Sequence, residues 1–156
     1  RSVNAKNYYG RTPLYYVEDV EVAKLLIENG NDVNDKDGEG RTPLYYACYK
    51  GNLEVAKLLM ENGADVNICS NGGSTLLDIV VTHTGIMVGD SGHWKNILSP
   101  TEISNNLDIV KLLIENGADV NNYGDCEIPP LTLVLRGDTN NYREENGCNA
   151  NARTIL

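Results

Sequence analysis

A phrase of thirteen residues is written three times in this chain. Residues 22–34 return as 55–67 and again as 109–121, keeping Lys-Leu-Leu, then Glu-Asn-Gly, then Asp-Val-Asn. Ahead of the first two copies stands another shared phrase, Gly-Arg-Thr-Pro-Leu-Tyr-Tyr, at residues 10–16 and 40–46. A period of about 33 residues marks a repeat architecture. A unit of that size buries nothing alone; neighbours must stack to share a core. The product is one long surface and no enclosed pocket. That points to binding and leaves the ligand unnamed.

The second unit shows the local physics. Asp37-Gly38-Glu39-Gly40 makes a tight turn, whose glycines reach positive φ without a Cβ clash. Thr42 is placed to cap the next helix, and Pro43 at its first position gives up an amide that would lack a partner anyway. Leu44, Ala47 and Cys48 fall at helical spacing and form the apolar stripe of a first helix. Gly51-Asn52 breaks it. Leu53, Ala56, Leu59 and Met60 form the stripe of a second helix, and Gly63 after Asn62 is its C-cap.

The other units vary this plan. From Thr12 to Glu28 the first is three residues shorter than the second from Thr42 to Glu61. The loss, between Tyr16 and Val22, predicts two tightly joined helices. Ser2-Val3-Asn4 matches the end of an upstream unit, as in a chain cut from a longer array. The third unit keeps the turn and cap in Gly73-Ser74-Thr75-Leu76-Leu77 without the proline. Its first helix runs on through Ile79, Val80 and Val81, and its second resumes at Leu107. Residues 85–105, holding His93, Trp94, Lys95 and Pro100, are an insertion, which in solenoids emerges on one face.

The fourth unit aligns in two ways. Glu145-Asn146-Gly147 resembles the end of a second helix, yet residues 138–144 carry almost no apolar stripe. In the alternative that we prefer, Pro130-Leu131 opens a first helix ending near Arg136. Residues 137–151 are then a second insertion, and residues 153–156 begin an incomplete second helix. The units are 4–34, 35–67, 68–121 and a partial 122–156, all in one domain.

Composition narrows the class of partner. The 156 residues carry a formal net charge of −9, and no cluster of Lys and Arg offers the counterion release on which phosphate binding depends. Nucleic acid and anionic membranes are disfavoured alike. No apolar run approaches the ~18–20 residues of a transmembrane helix, and Arg1 opens no signal-peptide pattern. Cys48, Cys69, Cys126 and Cys148 are irregularly spaced, with no Cys-x-x-Cys pair. They read as reduced cytosolic thiols, Cys48 packing as a small apolar group. A zinc site borrowing His83 or His93 lacks ligand spacing. No metal or cofactor is expected.

The turn, Thr-Pro-Leu, paired short helices and Gly-Ala-Asp-Val-Asn together resemble the ankyrin repeat over residues 4–121, with a looser match beyond. The resemblance implies an all-α solenoid of stacked helix-turn-helix units with projecting β-turn fingers. Where most members carry His after Thr-Pro-Leu, this chain has Tyr15 and Tyr45, and Asp78 in the third unit. The two tyrosines are expected to hold adjacent units together. Thr-Pro-Leu-Tyr-Tyr, the irregular insertions and the richness in Asn, Ile and Tyr further resemble the ankyrin proteins of poxviruses. Ankyrin effectors of intracellular bacteria are the rival. Poxviral relatives recruit a host protein through the array, and many follow it with an F-box-like segment that docks to a cullin-based ubiquitin ligase. The resemblance implies recognition of a host cytosolic protein in the host cytoplasm, for host range or immune evasion. Ligase recruitment is left to sequence beyond Leu156.

Ankyrin modules bind through turn tips and inner helices. Carried onto this chain, those positions are Tyr8, Tyr9 and Arg11 in the first unit. In the second they are Glu39, Arg41, Tyr49 and Lys50; in the third, Asn71 and Ser74. Tyr and Arg are enriched among interface hot spots. The competing reading has the tyrosines covering the neighbouring turn and the arginines bonded to it. Trp94 is either a further contact or packs back on its own loop. Glu28, Glu61 and Glu115 are solvated helix ends.

Catalysis finds no support. His83 and His93 stand beside no nucleophile motif, and no Gly-rich phosphate loop precedes a helix. A structural spacer array without a ligand of its own is the remaining alternative. The chain is expected to be monomeric, with its uncapped C-terminal edge either frayed from Pro130 onward or covered by association with another molecule.

Overall fold

The computed structural model describes residues 2–83 and 100–122. In chain order these form a 3-10 turn at Pro13–Tyr16 and five α-helices: α1 Val20–Glu28, α2 Pro43–Lys50, α3 Leu53–Glu61, α4 Leu76–His83 and α5 Pro100–Glu115. They pack in two layers. The 3-10 turn, α2 and α4 neighbour one another in an inner layer, and α1, α3 and α5 do so in an outer one. Each inner element packs on the outer helix that follows it. This is the all-α solenoid that the repeats predict. Among the described residues, β pairing is limited to an isolated antiparallel bridge between Cys69 and Thr75.

The core runs as one strip through three units, from Leu14 and Ala23 through Leu44, Cys48, Ala56 and Leu59 to Leu76, Val80, Ile109 and Leu113. The predicted stripes of α2 and α3 are buried except Leu53, which is half-buried and packs against the core. On α1, which has an outer-layer neighbour on one side only, Val22 and Leu25 stay exposed, whereas Val55 and Ile109 at the place of Val22 are buried.

Helix ends follow local chemistry. Thr42 Oγ1 accepts from the Tyr45 amide at 3.4 Å, with Pro43 opening α2. Asp19 caps α1 by accepting from the Glu21 and Val22 amides at 2.9 and 3.1 Å, and Asn52 caps α3 through Val55 at 3.2 Å. Lacking a proline, α4 is opened by a reciprocal pair. Asp78 Oδ2 accepts from the amide and the hydroxyl of Thr75, each at 2.9 Å, while the Asp78 amide donates to Thr75 Oγ1 at 3.2 Å. Asp78 thus fixes its own helix start. At the other end, Gly30, Gly63 and Gly117 take φ of 90°, 83° and 87°, the left-handed cap that L side chains resist.

Two expectations are corrected. The inner element of the first unit is a four-residue 3-10 turn, not an α-helix. The three residues missing before Val22 remove the last turn that α2 possesses, and the Tyr15 amide reaches only back to Thr12, at 3.2 Å. Thr12 makes no capping bond. In the third unit the outer helix begins at Pro100 rather than Leu107, so the last six residues of the 85–105 stretch are helical. A proline at the first position and Glu102 in the first turn both suit that start. Residues 85–99, with His93, Trp94 and Lys95, lie outside the described residues. So do the fourth unit from 123 onward, with its 137–151 stretch, and the edge at Pro130.

Asparagine staples join the outer turns. Asn34 Oδ1 accepts from the Asp65 amide at 2.7 Å and its Nδ2 donates to the Gly63 carbonyl at 3.0 Å. Asn67 repeats both bonds with Asp119 at 2.8 Å and Gly117 at 3.1 Å, and Asn4 donates to Gly30 at 2.9 Å. Asn4, Asn34 and Asn67, each at the end of a unit, therefore grip the unit that follows.

Candidate protein-interaction face

Each finger is closed by its first residue. The amides of Asn7, Asp37 and Ser70 donate to the carbonyls of Arg11, Arg41 and Ser74 at 3.0, 2.9 and 3.0 Å. The same side chains accept from inside the loop. Asn7 Oδ1 takes the Tyr9 and Arg11 amides, Asp37 Oδ1 the Glu39 and Arg41 amides, and Ser70 Oγ the Ser74 amide, all within 3.2 Å. Short polar side chains suit this position because they reach their own backbone two residues on. Neighbouring fingers are tied through their backbones, Gly38 N to Tyr9 O at 3.0 Å and Asn71 N to Glu39 O at 2.8 Å. That approach requires Gly40: at φ 74°, a Cβ would fall 2.5 Å from Asn71 Oδ1.

Asp37 has a second task. Its Oδ2 accepts from Arg11 Nε at 3.0 Å, Arg41 Nε at 3.2 Å and the Tyr46 hydroxyl at 3.2 Å. The Asp37 side chain is 1% exposed, those of Arg11 and Arg41 16% and 17%. Burial pushes the Asp37 carboxyl up, but the Arg41 amide, the Arg11 guanidinium and the Glu39 amide outweigh it and hold it below the usual carboxylate range. Burial also opposes the charge on Arg11, yet its bonds to Tyr16 and Asp37 raise its pKa above the ordinary value. Tyr46, half-buried and facing Asp37, is pushed up to about 12, chiefly by desolvation.

Aromatic rings cover the guanidinium faces. Arg11 lies 4.8 Å from the Tyr46 centroid and 5.1 Å from that of Tyr9; Arg41 lies 5.3 Å from Tyr46 and 5.9 Å from Tyr45. Tyr9, Arg11, Tyr46, Arg41 and Tyr45 thus form one cation–π stack hung on one buried carboxylate. Beside it, Tyr15 is buried and donates to the carbonyls of Asp35 and Arg41 at 2.5 and 3.0 Å, linking the first unit to the second. Tyr45 is half-buried and packs on the core.

Outward from this stack the face is tyrosine-rich. Tyr8 is 97% exposed, Tyr9 59%, Tyr49 51% and Tyr16 49%. Among its charges, Glu39 pairs with Arg41 Nη2 at 2.6 Å, Lys50 with Glu18 at 2.7 Å and Lys6 with Asp35 at 2.6 Å. Asn71 is exposed and Ser74 half-buried on the third finger. Of the positions carried over from the resemblance, Tyr8, Tyr9, Arg11, Glu39, Arg41, Asn71 and Ser74 lie on fingers, and Tyr49 and Lys50 at the end of α2. Trp94 lies outside the described residues.

Tyr16 and Tyr46, the second tyrosines of the duplicated phrase, are not singled out by sequence reasoning. Tyr16 accepts from Asn7 Nδ2 at 2.9 Å and Tyr46 joins the stack, and the duplication of Tyr-Tyr was the available signal. Among the described residues no three His, Cys, Asp or Glu side chains are grouped to hold a metal ion, and no helix is long and apolar enough to cross a membrane. Burial pushes the Cys48 thiol up to about 12.

A family model described as ankyrin repeats in many copies matches residues 26–80. A model of the single ankyrin repeat matches residues 9–38 and 103–125. Together they cover more than half of the chain. No curated protein matches it.

Proposed function

The chain belongs to the ankyrin-repeat family, and on that premise we propose that its fingers and inner layer are the contact surface for a host cytosolic protein. Ankyrin repeats imply a protein–protein interaction module. The observation that carries the placement is the set of exposed tyrosines, Tyr8, Tyr9, Tyr16 and Tyr49, beside a stack ordered by Asp37. Tyrosine gives large contact area with few rotatable bonds, and a surface fixed before binding loses less entropy on association. In this reading the tyrosines make the contacts. Arg11 and Arg41 hold the scaffold, Glu39 and Lys50 lie at the rim, and Asn71 and Ser74 extend the surface to the third finger.

The finer reading is a viral host-range or immune-evasion adaptor in the host cytoplasm, serving as the substrate-recognition part of a ubiquitin-ligase adaptor. Its support is the resemblance of Thr-Pro-Leu-Tyr-Tyr and of the insertion pattern to poxviral ankyrin proteins. The test has two stages. The immobilised chain captures partners from host-cell lysate for mass spectrometry, and affinity is then measured with the purified partner. Tyr9→Ala and Tyr49→Ala should each cost about 2 kcal/mol or more if they are hot spots, while Leu25→Ala on the exposed side of α1 should cost little. Unchanged affinity in both tyrosine variants, or an equal loss for Leu25→Ala, would move the contact to another face.

A further inference from the structure

Among the described residues Asn-Gly occurs four times, at 29–30, 62–63, 71–72 and 116–117. The dipeptide is chemically labile because the glycine nitrogen, with no side chain beside it, can attack the asparagine side-chain carbonyl carbon. Three of the four are locked at the ends of α1, α3 and α5. Asn29, Asn62 and Asn116 donate through Nδ2 to the carbonyls of Leu25, Leu58 and Leu112 at 2.7, 2.8 and 2.8 Å. The amides of Gly30, Gly63 and Gly117 donate to Ile27, Met60 and Ile114 at 2.9, 3.0 and 3.0 Å. Attack at any of these must first break both bonds.

Asn71-Gly72, at the tip of the third finger, differs at each point. Both residues are exposed. Asn71 Nδ2 reaches the Gly38 carbonyl only at 3.3 Å. The Gly72 amide has no hydrogen-bond partner among the described residues. The space around Gly72 is open, since a Cβ there would meet Ser70 Oγ at 3.8 Å and nothing nearer. The reacting nitrogen is free and the leaving amide is loosely held.

We propose that Asn71 is a spontaneous modification site, where the side-chain amide is lost by attack of the Gly72 nitrogen and a carboxylate replaces it on the interaction face. The Gly72 nitrogen gives its proton to solvent base and bonds to Asn71 Cγ. The Cγ–Nδ2 bond breaks and ammonia leaves. Water then opens the cyclic imide at either carbonyl, giving aspartate or, with one more main-chain carbon, isoaspartate. Either product adds a negative charge beside a face where Glu39, Glu18 and Asp35 are each already paired with a cation. Isoaspartate also lengthens the main chain immediately after the amide that bonds to the Glu39 carbonyl at 2.8 Å, which changes the course of the third finger next to its tie to the second. The face changes with age while the buried strip is untouched.

Peptide mapping by mass spectrometry tests this on the full chain, incubated folded at neutral to mildly alkaline pH, and is independent of any partner. One net hydrogen bond shifts a local opening equilibrium by about two- to tenfold, so two bonds slow the helix-end sites by about tenfold or more relative to residue 71. Gly72→Ala, for which there is room, should keep the thermal transition and bring conversion at 71 down to the rate of the slow sites. In denaturant the four unsubstituted sites should convert at similar rates. Conversion of Asn71 no faster than that of Asn62 in the folded chain would overturn the proposal. So would an unchanged rate in Gly72→Ala, or a rate difference that persists in denaturant and thus belongs to local sequence.

Discussion

Replacing Asp37 is the sharpest test of how the interaction face is held. Its two oxygens divide the work: Oδ1 closes the finger through the Glu39 and Arg41 amides, and Oδ2 neutralises Arg11 and Arg41 and accepts from Tyr46. Asparagine at 37 should keep the first function, because Asn7 performs it in the preceding finger. It loses the second, leaving Arg11 without a counter-charge and Arg41 with exposed Glu39 alone, although both side chains are only about one-sixth exposed. Breaking a buried pair from one side costs about 3–5 kcal/mol. The edge of each arginine still touches water, so Asp37→Asn should fall near the lower limit, about 2–3 kcal/mol, in the range for hydrogen bonds to charged groups. Asp37→Ala also orphans two backbone amides and should cost about 1 kcal/mol more.

Urea denaturation at several pH values measures both variants. Because the folded Asp37 pKa is depressed, its contribution is fully present above the unfolded carboxylate value of about 3.9 and disappears as pH falls through the lower folded value. The gap between Asp37→Asn and the unsubstituted chain should therefore be constant from neutrality to about pH 5 and close in stronger acid. A gap under about 0.5 kcal/mol at pH 7, or one that stays open in acid where both chains remain folded, would show that the stack does not depend on this charge.

Other variants separate the remaining contributions. Asn67→Ala removes both bonds to the following unit and should cost about 1–3 kcal/mol in thermal or chemical unfolding; a loss no larger than that of an exposed Asn→Ala control would deny the staple a role. Thr42→Ala should lose about 1 kcal/mol with its cap. Thr12→Val should be neutral or stabilising, since Thr12 Oγ1 is buried without a partner. Towards a thiol reagent in the folded chain, partly exposed Cys69 should be modified first and Cys48 only on unfolding; early labelling of Cys48 would contradict its burial.

Much of the fold is legible in the sequence because it is local. Leu44, Ala47 and Cys48 on one side and Ala56, Leu59 and Met60 on the other follow helical spacing, and Thr42, Pro43 and Gly63 mark where those helices start and stop. Where a deletion or an insertion disturbs the period, the reading weakens. Three missing residues turned a helix into the 3-10 turn at Pro13–Tyr16, and a proline far upstream of the familiar phrase let α5 begin at Pro100. The site is harder still. Nothing in the pattern tells that Arg11 and Asp37, 26 residues apart, share a bond, or that the partner of Arg41 is the same oxygen. Positions on the fingers follow from the resemblance. Whether a side chain there is available or already engaged depends on contacts between units, which periodicity does not encode.

The asparagine staples also bear on the order in which the stack assembles. Asn34 closes a loop of 31 residues to reach Asp65, while Asn67 must close one of 52 to reach Asp119. Chain entropy rises only with the logarithm of that span, so the longer closure costs about 0.5 kcal/mol more, no greater than one modest net hydrogen bond. Equilibrium stability is thus nearly blind to the length of the segment before α5. Kinetics is not, because contacts between distant residues form late. The junction between the first two units should nucleate and α5 should dock afterwards. A connection of this kind can lengthen or shorten freely while the assembled surface stays the same, at the expense only of the time taken to reach it.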